Sequence, residues 1–321
     1  MGDLMKQLKK QLIKAIKKAN KIYVMGHQSI DLDAFGACIA IVSLAKKYGK
    51  CAKIIINEKE HESAVGQAIA MMEDKIKLID SSKIKQTEEN DLLIVVDTNK
   101  KHLMQDQSLL KKISTVIVID HHITGKGSIK ADISYINPTI SSTCEILTDI
   151  LLDKGVAISQ NEATIILSGI VLDTNGYAIN TSAQTHYLSA WLIEKKANVR
   201  KVQQLFKQDI LDYKERQKLI LDIEMKDKHT AITMGSQNKY YRREYLAKAA
   251  DTLLLFKDIE TSYVIGRLNK DEIGISARSL TNGNVNKVLS KMSGGGSPKE
   301  AATVIKEESL EKVKKQLLKN L

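Results

Sequence analysis

Three short apolar runs in this chain each end on a carboxylate or an imidazole. Lys21-Ile22-Tyr23-Val24-Met25 leads into Gly26-His27-Gln28-Ser29-Ile30-Asp31-Leu32-Asp33. Leu92-Leu93-Ile94-Val95-Val96 ends on Asp97, and Thr115-Val116-Ile117-Val118-Ile119 ends on Asp120-His121-His122. Continuous runs of this length, rich in β-branched residues, fit strands buried on both faces, as in a parallel sheet covered by helices. Helix-like segments alternate with them as far as about Ala197, which predicts an α/β fold. Ligands of such sheets bind beyond the carboxyl ends of the strands. The acidic and histidine clusters fall at those ends.

The rest of the pattern divides the chain. Residues 1–20 repeat Leu4, Leu8, Leu12 and Ile16 among six lysines, an amphipathic helix. It reads either as packed on the domain that follows or as a membrane-surface or dimerisation helix. Residues 21–197 form the α/β domain, with strands over Lys21–Met25, Ala52–Ile56, Ile76–Ile79, Asp91–Asp97 and Thr115–Asp120. Its helices fit Ala34–Tyr48, Ser141–Lys154, Gln160–Leu172 and Ala183–Lys195, and Ser141-Ser142-Thr143 offers N-cap hydroxyls. Residues 198–227 read as a charged linker helix, and residues 228–321 as a smaller α+β domain.

Composition excludes several classes. No apolar stretch approaches the length of a membrane span, and no secretory signal is visible at the N-terminus. The three cysteines, Cys38, Cys51 and Cys144, are scattered and read as inert buried thiols of a reducing cytosol. A cytoplasmic protein is therefore expected. The net charge is +11, but only six of the 49 basic residues are Arg. Arg forks dominate base and phosphate readout, so duplex DNA is not an expected partner, while a phosphate-bearing substrate is compatible.

Each cluster has a plain structural alternative. Asp31 and Asp33 suit helix capping, Asp97 suits a turn, and His121-His122 suits a satisfied structural pair. Asp173 ends the apolar run Gly169-Ile170-Val171-Leu172, where a carboxylate at a helix C-terminus opposes the dipole unless a cation lies nearby. Taken together, His27, Asp31, Asp33, Asp97, His121 and Asp173 supply oxygen and imidazole donors for a two-metal hydrolytic centre, with Asp97 bridging. A further segment, Gly294-Gly295-Gly296-Ser297-Pro298-Lys299-Glu300, reads as a glycine loop entering a helix. Ser297 and Glu300 would form its capping box, and the amides at the helix start could hold a phosphate.

These motifs resemble the DHH phosphoesterase superfamily, whose members include RecJ nucleases, nano-RNases and cyclic-di-AMP phosphodiesterases. Ile275-Ser276-Ala277-Arg278-Ser279-Leu280, Asn284-Val285, the triple glycine, Ala301-Ala302-Thr303 and Ala249-Ala250-Asp251-Thr252-Leu253-Leu254 are most similar to the catalytic part of GdpP-type enzymes. The resemblance implies a parallel-sheet DHH domain joined by a helical linker to a smaller α+β DHH-associated domain. It implies two Mn2+, with Mg2+ or Co2+ as substitutes, one held by His27, Asp31 and Asp97, the other by Asp33, Asp97, His121 and Asp173. Asp120 would orient an imidazole, and His122 would face the phosphate and protonate the departing oxygen. Arg278, Ser279, Gly294, Gly295, Gly296 and Ser297 would contact a cyclic dinucleotide or short oligonucleotide. The implied reaction is attack by metal-activated hydroxide on cyclic-di-AMP, giving linear pApA. A nano-RNase releasing AMP and a cyclic-dinucleotide sensor with weak catalysis stand as alternatives, and a homodimer is compatible. GdpP-type proteins carry upstream membrane helices, so the cytoplasmic face of a membrane is the expected location if this chain is part of a longer protein. The chain departs from the family pattern at Ile123, Asn180 and Gln184, where Arg is common, and at Ser297, where His is common.

Overall fold

A computed structural model describes residues 2–57, 63–72, 75–207, 210–281, 283–307 and 309–321. The chain forms two compact units, Met1–Lys207 and Gln208–Leu321.

In the first unit the elements run α1 (Gly2–Lys18), β1 (Ile22–Met25), α2 (Leu32–Lys47), β2 (Ala52–Ile55), α3 (Ser63–Met72), β3 (Lys77–Ile79), β4 (Leu92–Val96) and α4 (Leu109–Lys112). They continue through β5 (Thr115–Asp120), β6 (Ile133–Ile136), α5 (Thr143–Asp153), α6 (Gln160–Asp173), α7 (Ala183–Glu194) and α8 (Val199–Leu205). The strands form one parallel sheet in the order β3-β2-β1-β4-β5-β6. This order reverses between β1 and β4, which makes a topological switch point there. Met25 pairs with Val95, and Val96 with Ile119, so the residues leaving β1, β4 and β5 emerge side by side. The central strands are buried, but for Thr115 at the start of β5, because hydrophobic clusters cover both faces, Val24, Ile94 and Ile117 on one and Met25, Val95 and Val118 on the other. The period-four stripe of α1 is part of this core: Leu8, Leu12 and Ile16 are buried, while Leu4 stays exposed. The packed-helix reading of residues 1–20 is the one observed.

In the second unit the order is α9 (Ile210–Leu221), β7 (Glu224–Met225), β8 (Thr230–Met234), α10 (Arg243–Leu253), β9 (Thr261–Arg267), β10 (Glu272–Ser279), α11 (Val285–Ser290), β11 (Gly295–Gly296), β12 (Glu300–Lys306) and α12 (Leu310–Asn320). Its sheet runs β11-β12-β10-β9-β8-β7, antiparallel except where β8 meets β9.

Three sequence expectations change here. The stretch expected as one linker helix is instead α8, within the first unit, and α9, within the second. The segment after the triple glycine is a hairpin, not a helix start. The Ser297 amide donates to the Glu300 carbonyl, and the Ser297 hydroxyl accepts from the amides of Lys299 and Glu300. A Ser three residues before a Glu fits a tight turn as well as a capping box, and Thr303-Val304-Ile305 then favours a strand. Gly296 is required in this hairpin: its φ is +149°, and a Cβ would meet the Glu300 carbonyl. The phosphate cradle expected from a helix start at Ser297 is therefore absent. Finally, Cys51 is exposed, whereas Cys38 and Cys144 are buried as expected. Among the described residues no helix is long and apolar enough to cross a membrane.

Candidate metal centre

The switch point gathers all six expected donors. Asp31 caps α2, and Asp33 lies in the first helical turn. The capping and ligand readings of Asp31 both hold, because its two oxygens divide the work. Oδ1 accepts the amides of Asp33 and Ala34, at 3.0 and 2.9 Å. Oδ2 faces His27 Nε2 at 3.6 Å. The His27 Nδ1 sits against the Gln28 carbonyl. Donation of Nδ1–H there leaves the Nε2 lone pair pointing at the carboxylates, the tautomer a metal ligand needs.

Asp97 is the joint of the arrangement. Its φ is +58°, a left-handed backbone that only a tight turn out of β4 explains and that costs about 1–3 kcal/mol. Oδ2 lies 3.4 Å from His27 Nε2, and Oδ1 lies 3.4 Å from His121 Nε2. Thr143 Oγ1 donates to Oδ1 at 3.0 Å. One carboxylate thus faces two imidazoles, one through each oxygen.

On the far side stand Asp33, His121 and Asp173. Asp33 is fully buried and both its oxygens are fixed by the N-terminal amides of α5, Thr143 to Oδ2 and Cys144 to Oδ1, each at 2.8 Å. His121 Nε2 lies 3.0 Å from Asp173, 3.4 Å from Asp97 and 4.0 Å from Asp33. It is close to all three, yet it has hydrogen-bond geometry with none and is a buried nitrogen without a partner among the described residues. An orphaned nitrogen aimed among carboxylates fits a cation better than a proton. The donor atoms form two groups in which all atoms lie within 4.8 Å of one another: His27, Asp31 and Asp97; and Asp33, Asp97, His121 and Asp173. The mixture of oxygen and imidazole suits a divalent ion of intermediate hardness.

The electrostatics show the same demand for positive charge. Burial opposes protonation of His27, but Asp31 and Asp97 overcome it and push the imidazole up to about 11. Burial likewise opposes protonation of His121, and Asp173 and Asp97 push it up to about 12. Asp33 is raised well above the usual carboxylate range, first by burial and then by Asp173 and Asp97. Burial with Asp97 raises Asp173 to about 6. Asp97 is lowered: burial opposes this, but the two imidazoles prevail. Without a metal the cluster gathers protons; a divalent cation would take their place.

His122 belongs to a different arrangement. A third grouping, Asp97 with His121 and His122, is also compact. However, His122 Nδ1 is committed to Asp120 Oδ1 at 2.8 Å, closer than its 3.6 Å to Asp97. Its ring meets His121 edge-on and is more than half exposed. The imidazole that Asp120 orients is therefore His122. Asp120 is buried and held in turn by Asn99 Nδ2 at 2.6 Å, which also donates to the His122 carbonyl at 3.1 Å.

Sequence reasoning missed Asn99, Thr143 and Cys144. Asn99 follows Asp97 by two residues and Thr143 was read only for capping, so proximity in sequence was the one available signal. It also missed Gly169. A Cβ there would lie 2.9 Å from both Asp33 Cα and Asp33 Oδ1 and 2.5 Å from Cys144 Sγ.

The expected substrate residues lie in the second unit. Arg278 Nε is paired with Asp251 at 2.7 Å. The Ser279 side chain is buried, its hydroxyl 3.3 Å from that of Thr261, so it is not offered to a ligand. Gly295 and Gly296 are exposed, and Gly294 and Ser297 partly so.

A parallel sheet with acidic and imidazole groups at its switch point defines the class. Residues 21–170 match the DHH family, N-terminal domain. Over 310 residues the chain is 31% identical to "Cyclic-di-AMP phosphodiesterase GdpP" of Geobacillus thermodenitrificans, an alignment covering 94% of this chain and 47% of the relative. It is 30% identical over 314 residues to "Cyclic-di-AMP phosphodiesterase PdeA" of Listeria monocytogenes, with the same shares covered. The chain thus spans about half the length of the curated relatives it matches. The fold is shared with the crystal structure of an exopolyphosphatase-related protein from Bacteroides fragilis, with a TM-score of 0.84 and 19% identity over 98% of this chain and 96% of that one.

Proposed function

We propose that this chain is a metal-dependent phosphodiesterase that opens cyclic-di-AMP to linear pApA, with the first unit as catalytic DHH domain and the second as DHH-associated domain. The observation that carries the reading is Asp97, one carboxylate facing His27 and His121 through different oxygens. His27, Asp31 and Asp97 would hold one Mn2+, and Asp33, Asp97, His121 and Asp173 the other, with Mg2+ or Co2+ as substitutes. Two such ions would lower the pKa of a water and neutralise phosphate oxygens. Similarity to two cyclic-di-AMP phosphodiesterases supports the substrate.

The chain's own groups supply the rest. Asp33 and Asp97 are fixed by hydrogen bonds from Thr143 and Cys144 before any ligand arrives, so their geometry costs little to organise. Asp120 accepts the Nδ1–H of His122, which leaves Nε2 of an exposed ring free to act. Burial opposes its protonation, but Asp120 and Asp97 raise it above the ordinary value, which favours a proton on the ring. That proton goes to the ribose 3′ oxygen as its bond to phosphorus breaks and water adds to phosphorus. The exposed glycines of the β11–β12 hairpin offer backbone for nucleotide contact.

Chromatography of products from cyclic-di-AMP, pApA and short oligoribonucleotides, with Mn2+ and with Mg2+, tests the proposal. Accumulation of pApA from cyclic-di-AMP is expected. Rapid AMP formation from pApA would instead identify a nano-RNase, and tight binding of uncleaved cyclic-di-AMP a sensor.

A further inference from the structure

The turn after the histidine pair carries chemistry that the proposed metal centre leaves unused. Lys100 stands three residues beyond Asp97 and is partly buried. Its Nζ donates to Ser128 Oγ at 3.4 Å, and the two backbones form an antiparallel bridge. Ser128 Oγ lies 3.3 Å from Asn99 Oδ1 and donates to the Gly125 carbonyl at 2.7 Å. Asn99 in turn holds Asp120, which holds His122. Lys100 is thus the neighbour in sequence of the residue that holds Asp120 and, through it, the imidazole at the proposed site of cleavage.

Lys100 has more to give than it is given. An ammonium has three donors, and the Lys100 side chain has a single neutral acceptor among the described residues, with no carboxylate in ion-pair range. It lies over Gly125 so closely that a Cβ there would come 3.1 Å from Nζ. The same turn passes through Gly127 at φ +80°, and the amides of Lys126 and Gly127 donate to no protein group among the described residues. Successive free amides and an under-used ammonium on one turn are the groups from which an anion site is built. Ile123, directly after the histidine pair, is exposed and brings no charge of its own.

We propose that Lys100, with the free amides of Lys126 and Gly127, binds a second phosphate of the substrate, the one that is not cleaved. The inference rests on the phosphodiesterase reading and adds its specificity: the site prefers nucleotides with two phosphates to simple diesters.

The test compares Lys100→Gln, Lys100→Arg and the surface control Lys77→Gln in the full chain with Mn2+. KM is measured for cyclic-di-AMP and for bis(p-nitrophenyl) phosphate, which has one phosphate. A charged hydrogen bond of this kind is worth about tenfold in binding, so Lys100→Gln should raise the ratio of the two KM values by about that factor. Its kcat should change far less, its KM should depend less on salt, and Lys100→Arg should restore most of the loss. Equal KM increases for both substrates would place Lys100 at the cleaved phosphate, and an unchanged ratio would remove it from substrate binding; either overturns the proposal. If wild-type protein cleaves neither diester, the phosphodiesterase reading fails by itself. The Kd of cyclic-di-AMP for the same variants, by calorimetry, then decides for or against Lys100 by the same tenfold criterion.

Discussion

Gly169→Ala should damage the metal centre more than it damages the fold. The added Cβ would lie 2.5 Å from Cys144 Sγ and 2.9 Å from both Asp33 Cα and Asp33 Oδ1. None of these atoms is a free end. Asp33 Cα is the backbone of α2, Oδ1 is fixed by the Cys144 amide, and Sγ lies 3.3 Å from the Asp33 carbonyl. Alanine gains about 1 kcal/mol over glycine inside a helix. Overpacking costs about 1–3 kcal/mol, so the net loss of stability is about 1 kcal/mol, a fall of a few degrees in Tm. Asp33, however, must shift by several tenths of an ångström in a site whose outer supports are worth about 10–100-fold in metal affinity. Urea unfolding and Mn2+ calorimetry on the same sample separate the two effects. Adding Cys144→Ala removes one clash but not those with Asp33, so it should recover stability without recovering metal affinity. A Gly169→Ala protein with wild-type Mn2+ affinity would refute the claim that Asp33 is held by this helix contact.

Three further outcomes are expected. Asp33→Ala or His121→Ala should abolish turnover while circular dichroism shows a folded protein; metal-dependent activity in either purified variant would count against the assignment. Mn2+ binding near pH 7 should release protons and tighten as pH rises, because His27 and His121, held up at about 11 and 12, are protonated in the metal-free protein and must give up those protons to bind. Parallel titrations in buffers of different ionisation enthalpy read this, and a heat independent of buffer would contradict it. Asn99→Ala should lower kcat by about ten- to a hundredfold with KM little changed, since it frees Asp120 and hence His122; a KM effect without a kcat effect would assign Asn99 elsewhere.

Much of the site was legible because its donors sit at the ends of buried strands. β1, β4 and β5 declare themselves as apolar runs, and Asp97 and Asp120 are the first polar residues after them. Asp173 was legible by its clash with the helix dipole. What was not legible depends on contacts far apart in sequence. Thr143 and Cys144 reach Asp33 across 110 and 111 residues, and nothing local marks that pairing. The error at Ser297 has another cause: its hydroxyl caps two amides in either a helix start or a tight turn. Only the pairing of β12 with β10 decides between them. β6 was missed because Ile133–Ile136 is a short edge strand, without the unbroken apolar run of its neighbours.

The central claim is that one carboxylate joins two cation sites. Mn2+ stoichiometry by equilibrium dialysis and elemental analysis, on wild-type, His27→Ala and Asp97→Ala proteins, tests it most directly. Two ions per wild-type chain are predicted, one in His27→Ala, and a severe loss of both in Asp97→Ala. A single ion in the wild type, or two ions retained in Asp97→Ala, would contradict it.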